Sequence, residues 1–213
     1  MGVVAIVFCL IWLYLLRVCK KAELGFFFYL LGSVGMFIFL MIWVRPILTE
    51  PLTWIVTSVT GSVGELSGMF DAYPDLGMLF IPKDTAAVSL YIDFECSGVI
   101  EIMAFLSLLW FFNIYNIFEK TVVSICGVLW IFFSNVARLL VISTMVYGLG
   151  NDSFYFAHAI AGRIIFYFLS IVLYFYVFTK AQVIRQKVGG FSYQKKVTKQ
   201  DIEVDQEEGD NNE

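Results

Sequence analysis

The chain has 213 residues, 60% of them hydrophobic and 18% aromatic, with a mean hydropathy of +0.81. That apolar share exceeds what a soluble domain carries and leaves too few polar residues to coat a globule, so an all-α polytopic membrane protein is expected. The net charge of −4 comes without a basic face or a nucleic-acid-binding motif, which excludes a nucleic-acid partner. One histidine and four dispersed cysteines show no metal-ligand spacing, so neither a metal centre nor any other cofactor is expected.

Five apolar runs have spanning length, at roughly 2–19, 24–44, 96–114, 121–147 and 159–180. The first has no basic segment before it and no small-residue cleavage site, so it reads as a retained helix whose Arg17 must snorkel. Arg17, Lys20 and Lys21 separate runs one and two, Lys120 separates three and four, and Lys180, Arg185 and Lys187 follow the fifth. The 45–95 loop carries only Arg45 and Lys83 against Glu50, Glu65, Asp71, Asp75, Asp84, Asp93 and Glu95. The positive-inside bias therefore predicts a multi-pass plasma-membrane protein, amino terminus outside and carboxy terminus cytoplasmic. Residues 1–185 form the expected membrane domain, and the Gly-, Lys-, Asp- and Glu-rich stretch 186–213 an expected disordered cytoplasmic tail.

Within the 45–95 loop, Leu52, Ile55, Val56, Val59, Val63, Leu66 and Phe70 recur at three-and-four spacing, predicting an amphipathic helix on the outer membrane surface. Gly61, Gly64 and Gly68 weaken that pattern. Val88, Leu90, Ile92 and Phe94 alternate with Ser89, Tyr91 and Asp93, predicting a short strand. Such an edge could align an extended peptide beside Cys96, or simply pack as a covering loop.

The topology puts Cys96 at the outer end of the third run and His158 at the outer end of the fifth. Arg138 lies some 17 residues up the fourth, about 26 Å from its cytoplasmic start. A thiol, a guanidinium and an imidazole thus share one depth, and ionisable groups inside a membrane are expensive enough to suggest function. Cys96 follows Glu95 and precedes Ser97 and Gly98, which permits close backbone approach to a ligand. The positive end of the helix it opens favours a thiolate. Cys9, Cys19 and Cys126 sit in apolar runs as small hydrophobes. Asn135 and Arg138 are one turn apart and share a face. Arg138 can hold a carbonyl oxygen or carboxylate with paired donors, or form a structural pair with Glu101. His158 fits general acid–base work, or merely an interfacial cap. Gly162 allows close helix packing beneath it, and Glu101 and Arg163 lie deeper as supporting residues. Asp93, Asn151 and Asp152 are candidate imidazole partners among which spacing does not choose.

Glu-Cys-Ser-Gly at 95–98, Asn-Val-Ala-Arg at 135–138 and His-Ala-Ile-Ala-Gly at 158–162 stand in the order found in the exosortase/archaeosortase family, which the chain resembles over roughly residues 45–180. Many members carry more helices than the five read here. The resemblance implies a membrane cysteine peptidase/transpeptidase with Cys96 as nucleophile, Arg138 as stabiliser and His158 as proton-transfer residue. It also implies exported protein substrates whose carboxy-terminal signal is a motif, an apolar helix and a basic stop, with an acceptor amine or lipid left open. Two other classes remain: a non-catalytic scaffold or accessory subunit in surface-polymer or protein export, and a small transporter with Arg138 and Glu101 lining a polar route. Against the transporter, no pair of matching broken helices is visible in the two halves.

Overall fold

The computed structural model describes residues 2–82, 88–92, 96–150 and 153–183. The expected tail at 186–213 lies outside these residues, as do Asp93, Phe94, Glu95, Asn151 and Asp152. Contacts along the chain divide it into two units, 1–171 and 172–213.

Helix α1 covers Gly2–Lys21 and α2 covers Gly25–Trp43. Lys20 and Lys21 close the last turn of α1, where cations complement the carbonyl end of the helix dipole. Two glycines let the apolar helices approach. The Trp12 indole lies where a side chain at Gly35 would stand, and its Nε1–H donates to Leu31 O at 2.9 Å. Likewise the Phe111 ring fills the space left at Gly32. Small residues do this work in membranes because hydrocarbon supplies no hydrophobic drive between helices.

The loop after α2 is more ordered than its sequence pattern suggests. Helix α3, Arg45–Ser67, starts at once, with Pro46 in its first turn, and stops at Gly68 in the left-handed conformation (φ 65°). Its buried face is Val56, Thr57, Thr60, Gly61 and Gly64, while Ile55 and Val63 are exposed and Leu66 is 88% exposed. The apolar stripe is thus divided: Leu52, Val56, Val59 and Phe70 pack into or against the core beside the small-residue face, and Ile55, Val63 and Leu66 are left outside. Gly61 and Gly64, read from sequence as weaknesses, are where Ala72 and Phe70 press against the helix.

A three-stranded antiparallel sheet covers that face: β1 Asp71–Tyr73, β2 Met78–Ile81 and β3 Val88–Tyr91, in the order β1-β2-β3. Asp71 pairs with Phe80, and Ile81 with Val88. Gly77, at φ 60°, closes the Pro74–Leu76 turn between β1 and β2. The alternation expected over 88–94 holds through Tyr91, with Val88 and Leu90 buried and Ser89 and Tyr91 exposed. Ile92 N–H then donates to Gly77 O at 2.8 Å.

Helix α4 covers Val99–Phe111, 13 residues. At about 1.5 Å per residue it reaches about 20 Å, short of the ~30 Å hydrocarbon core and of the full span expected over 96–114. Helix α5, Ile117–Leu149, is longer than expected because a capping box starts it early: Glu119 Oε2 accepts from Asn116 N–H at 2.9 Å. Helix α6 runs Phe154–Val183, with wider π turns at Ala157–Ala161 and Phe175–Lys180. Helices α2, α5 and α6 are each long and apolar enough to cross a membrane. Their outward surface is apolar too, with Phe26, Ile42, Ile125, Phe133, Phe168 and Ile171 all exposed. This is a multi-pass membrane protein.

The buried core of the first unit joins Val56 of α3, Leu79, Ile81 and Leu90 of the sheet, Val136, Leu139, Ile142 and Val146 of α5, and Ala157 of α6. Cys96 belongs to it. Below that core, α4 and α5 cross where Phe105 occupies the space above Gly127. A side chain at Gly127 would overlap the Phe105 ring, so Gly127→Val should destabilise the bundle by about 1–3 kcal/mol, read as a lowered midpoint of thermal unfolding in detergent.

Candidate active site

Cys96, Ser97 and Gly98 form a turn that leads into α4. Gly98 takes φ 82°, a left-handed conformation that side chains resist, and serves as the helix N-cap. Its requirement is conformational rather than steric, since a Cβ there would meet Asn135 at an ordinary 3.6 Å. The turn is buried, with Cys96 7% and Ser97 1% exposed. Beyond it, the first N–H groups of α4 have no acceptor within the helix and lend partial positive charge to its start.

Helix α5 holds this turn from the side. Asn135 and Arg138, one turn apart and on one face, are 0% and 6% exposed. Asn135 Nδ2 donates to Cys96 O at 2.7 Å, and Arg138 Nη2 donates to Cys96 Sγ at 3.3 Å. The guanidinium also lies over the Phe166 ring, 5.7 Å from its centroid, where the ring's π face attracts a cation. A guanidinium on sulfur favours the thiolate, the nucleophilic form. Arg138 Nε and Asn135 Oδ1 are buried without hydrogen-bond partners. A donor and an acceptor so left beside a thiol are groups that an incoming polar ligand would satisfy.

Glu101 lies in the first turn of α4. Its Oε2 is buried without a hydrogen-bond partner. The structural pair with Arg138 that the sequence left open does not form: no ion pair joins Glu101 to Arg138 among the described residues.

His158 stands in the π turn of α6, a geometry frequent at functional sites. The ring is half-buried and stacks on Phe154 with centroids 5.8 Å apart and planes 7° from parallel. Its Nδ1 is buried and unpartnered. The charges of Arg138 and Arg163 both act on it, but no hydrogen bond joins it to Cys96 or Arg138 among the described residues. Gly162 packs against Ile142 of α5, the close approach expected of it. Arg163 is exposed rather than deep in the bundle, and Glu95 lies outside the described residues.

The structure thus brings Cys96, Ser97, Gly98, Asn135, Arg138 and Glu101 together, with His158 within electrostatic range. Sequence reasoning missed Phe166, the buried aromatic under the guanidinium, and Phe154, the platform for the imidazole. Among 22 phenylalanines neither carries a distinguishing signal, although Phe166 lies one turn past Arg163. Of the other cysteines, Cys126 is exposed, and Cys9 and Cys19 are partly buried.

A family model described as transmembrane exosortase (Exosortase_EpsH) matches residues 1–176. No curated protein and no solved structure matches the chain.

If the Arg138 contact holds the sulfur as thiolate, Arg138→Met should slow alkylation of Cys96 by iodoacetamide at neutral pH by about tenfold. Mass spectrometry of the Cys96 peptide over time checks this, with exposed Cys126 as the internal reference.

Proposed function

The chain belongs to the transmembrane exosortase family, and from the Cys96 turn we propose that it is a membrane cysteine transpeptidase that cleaves carboxy-terminal sorting signals of exported proteins. The observation that carries this reading is the buried contact at 3.3 Å between Arg138 Nη2 and Cys96 Sγ. A free thiol used only for packing has no need of a guanidinium, whose burial costs several kcal/mol unless partnered.

In this reading the Cys96 thiolate attacks the scissile carbonyl, forming a C–S bond and placing negative charge on the carbonyl oxygen. Arg138, released from the sulfur as its charge moves, turns its donors to that oxygen, and Nε is already free for it. Asn135 keeps the Cys96 carbonyl fixed and so holds the nucleophile's position. His158 gives a proton to the leaving nitrogen as the C–N bond breaks, and a thioester on Cys96 remains. An acceptor amine then attacks that thioester: its nitrogen bonds to the carbonyl carbon, the electron pair of the C–S bond returns to sulfur, and His158 takes the amine's proton.

The substrate's tail helix would lie in the membrane against α5 and α6. An apolar groove of about 490 Å³, lined by Cys126, Leu129, Trp130, Phe133 and Ser134 of α5 and Leu169 of α6, supports that placement. The distribution of lysines and arginines supports a site on the extracytoplasmic side, with the amino terminus outside and the carboxy terminus in the cytoplasm.

The test is a secreted reporter ending in an apolar helix and a basic stop, co-expressed with the protein. Cys96→Ala should abolish cleavage, and Arg138→Ala should lower turnover by about 10²–10³, the usual cost of losing an oxyanion donor. A hydroxylamine-sensitive adduct between reporter and Cys96, found by mass spectrometry in the unsubstituted chain deprived of acceptor amine, would identify the thioester. Cleavage at the ordinary rate by the Cys96→Ala chain would refute the reading.

A further inference from the structure

Asn135 has its donor engaged and its acceptor idle. Nδ2 donates to Cys96 O at 2.7 Å, and because a backbone carbonyl can only accept, that partner fixes which way the amide is turned. Oδ1 is therefore turned from the Cys96 carbonyl. The residue is 0% exposed, and Oδ1 has no hydrogen-bond partner. Holding Cys96 uses the donor alone, so the buried oxygen costs stability without contributing to that grip. No side chain of residue 98 covers the amide either. A β-carbon at Gly98 would have Asn135 as its nearest non-adjacent neighbour, 3.6 Å from Cγ and Nδ2. A space of one carbon atom is thus left over the amide, on the turn that carries the nucleophile.

The reaction brings a donor to match that oxygen. Arg138 takes the carbonyl oxygen, and His158 handles the proton that the nitrogen gains or loses. The hydrogen already on the scissile nitrogen has no acceptor in that scheme. We propose, on the transpeptidase reading, that Asn135 Oδ1 accepts this N–H and holds the reacting nitrogen in both halves of the reaction.

In acylation the scissile N–H stays on Oδ1 while sulfur bonds to the carbonyl carbon. The C–N bond then breaks, His158 delivers the second hydrogen, and the nitrogen leaves as a neutral primary amine. In the return step a primary amine enters with one N–H on Oδ1. Its lone pair forms the new C–N bond, the C–S pair returns to sulfur, and its other hydrogen goes to His158. Specificity follows from the hydrogen count. A secondary amine, or proline just after the scissile bond, has one hydrogen too few and leaves Oδ1 unsatisfied. Sites built around a buried polar group reject ligands that lack its match.

Because Asn135 also holds Cys96, its two ends must be read separately. The full chain in nanodiscs is given a synthetic reporter peptide ending in an apolar helix and a basic stop, and the cut is mapped by mass spectrometry. A second reporter carries an ester in place of the scissile amide, nearly the same shape without the N–H. Asn135→Ala should slow both reporters by loosening the cysteine, and the amide about tenfold more than the ester. Asn135→Asp, which keeps an acceptor oxygen, should show no such extra loss. Equal slowing of both reporters by Asn135→Ala overturns the proposal and leaves Asn135 a positioning residue only. Should that variant fail to assemble, the unsubstituted chain decides, with glycinamide and its N-methyl counterpart sarcosinamide as acceptors. Product from sarcosinamide should fall below about a tenth of that from glycinamide, and comparable yields overturn the proposal. Absence of any cleavage by the unsubstituted chain would instead refute the transpeptidase reading itself, and this proposal with it.

Discussion

A guanidinium buried at the end of an apolar bundle is the constraint around which the first unit is arranged. Arg138 is 6% exposed, and a charge so placed must be partnered or it destabilises the fold by several kcal/mol. Its partners come from two other elements. The sulfur of Cys96 is brought by the turn before α4 and the Phe166 ring by α6. Each brings a different kind of stabilisation, a polarizable acceptor and a π face. Because these elements also build the apolar core, the packing of the helix ends and the placement of reactive groups are one problem with one solution.

Asn135 shows how little freedom that solution leaves. Its amide holds the Cys96 carbonyl while its neighbour one turn on holds the sulfur, so the cysteine is fixed at both backbone and side chain. Gly98 then lets the chain turn sharply into α4. The arrangement leaves Arg138 Nε and Asn135 Oδ1 without partners in a dry environment, where an unsatisfied polar group is costly. Proteins keep such groups where a ligand completes them.

Much of this was legible in the sequence, for a physical reason. Arg138 and Glu101 stand out because charges are rare in apolar helices, and Cys96 because Glu95 and Gly98 flank it. The lysine pattern led to the expectation that Cys96, Arg138 and His158 share one depth, with Glu101 deeper. The amphipathic helix of the 45–95 loop was legible in existence but not in orientation. Periodicity locates an apolar stripe and does not say whether core or lipid receives it; the glycines at 61 and 64, which mark the sheet-bearing face, resembled defects. Strand β1 is three residues long, too short to show a period, and β2, Met78-Leu79-Phe80-Ile81, is apolar throughout and has no alternation to read. The ring under Arg138 was hidden by abundance. The length of α4 was overestimated because apolar composition continues past Phe111 while Phe112 is already extended.

That short α4 leaves about 10 Å of a ~30 Å film unspanned. The deficit falls to the Cys96–Gly98 turn at one end, to the stretch around Phe112 at the other, or to dimpling of the bilayer itself. Mismatch costs fractions of a kcal/mol per ångström and sorts proteins among membranes of different thickness. The acyl-chain length of the host lipid therefore bears on how far the Cys96–Gly98 turn lies from the membrane surface, and with it on how readily water reaches that turn. A bilayer of short chains would suit this protein, and a thick one would strain it at the place where its polar groups gather.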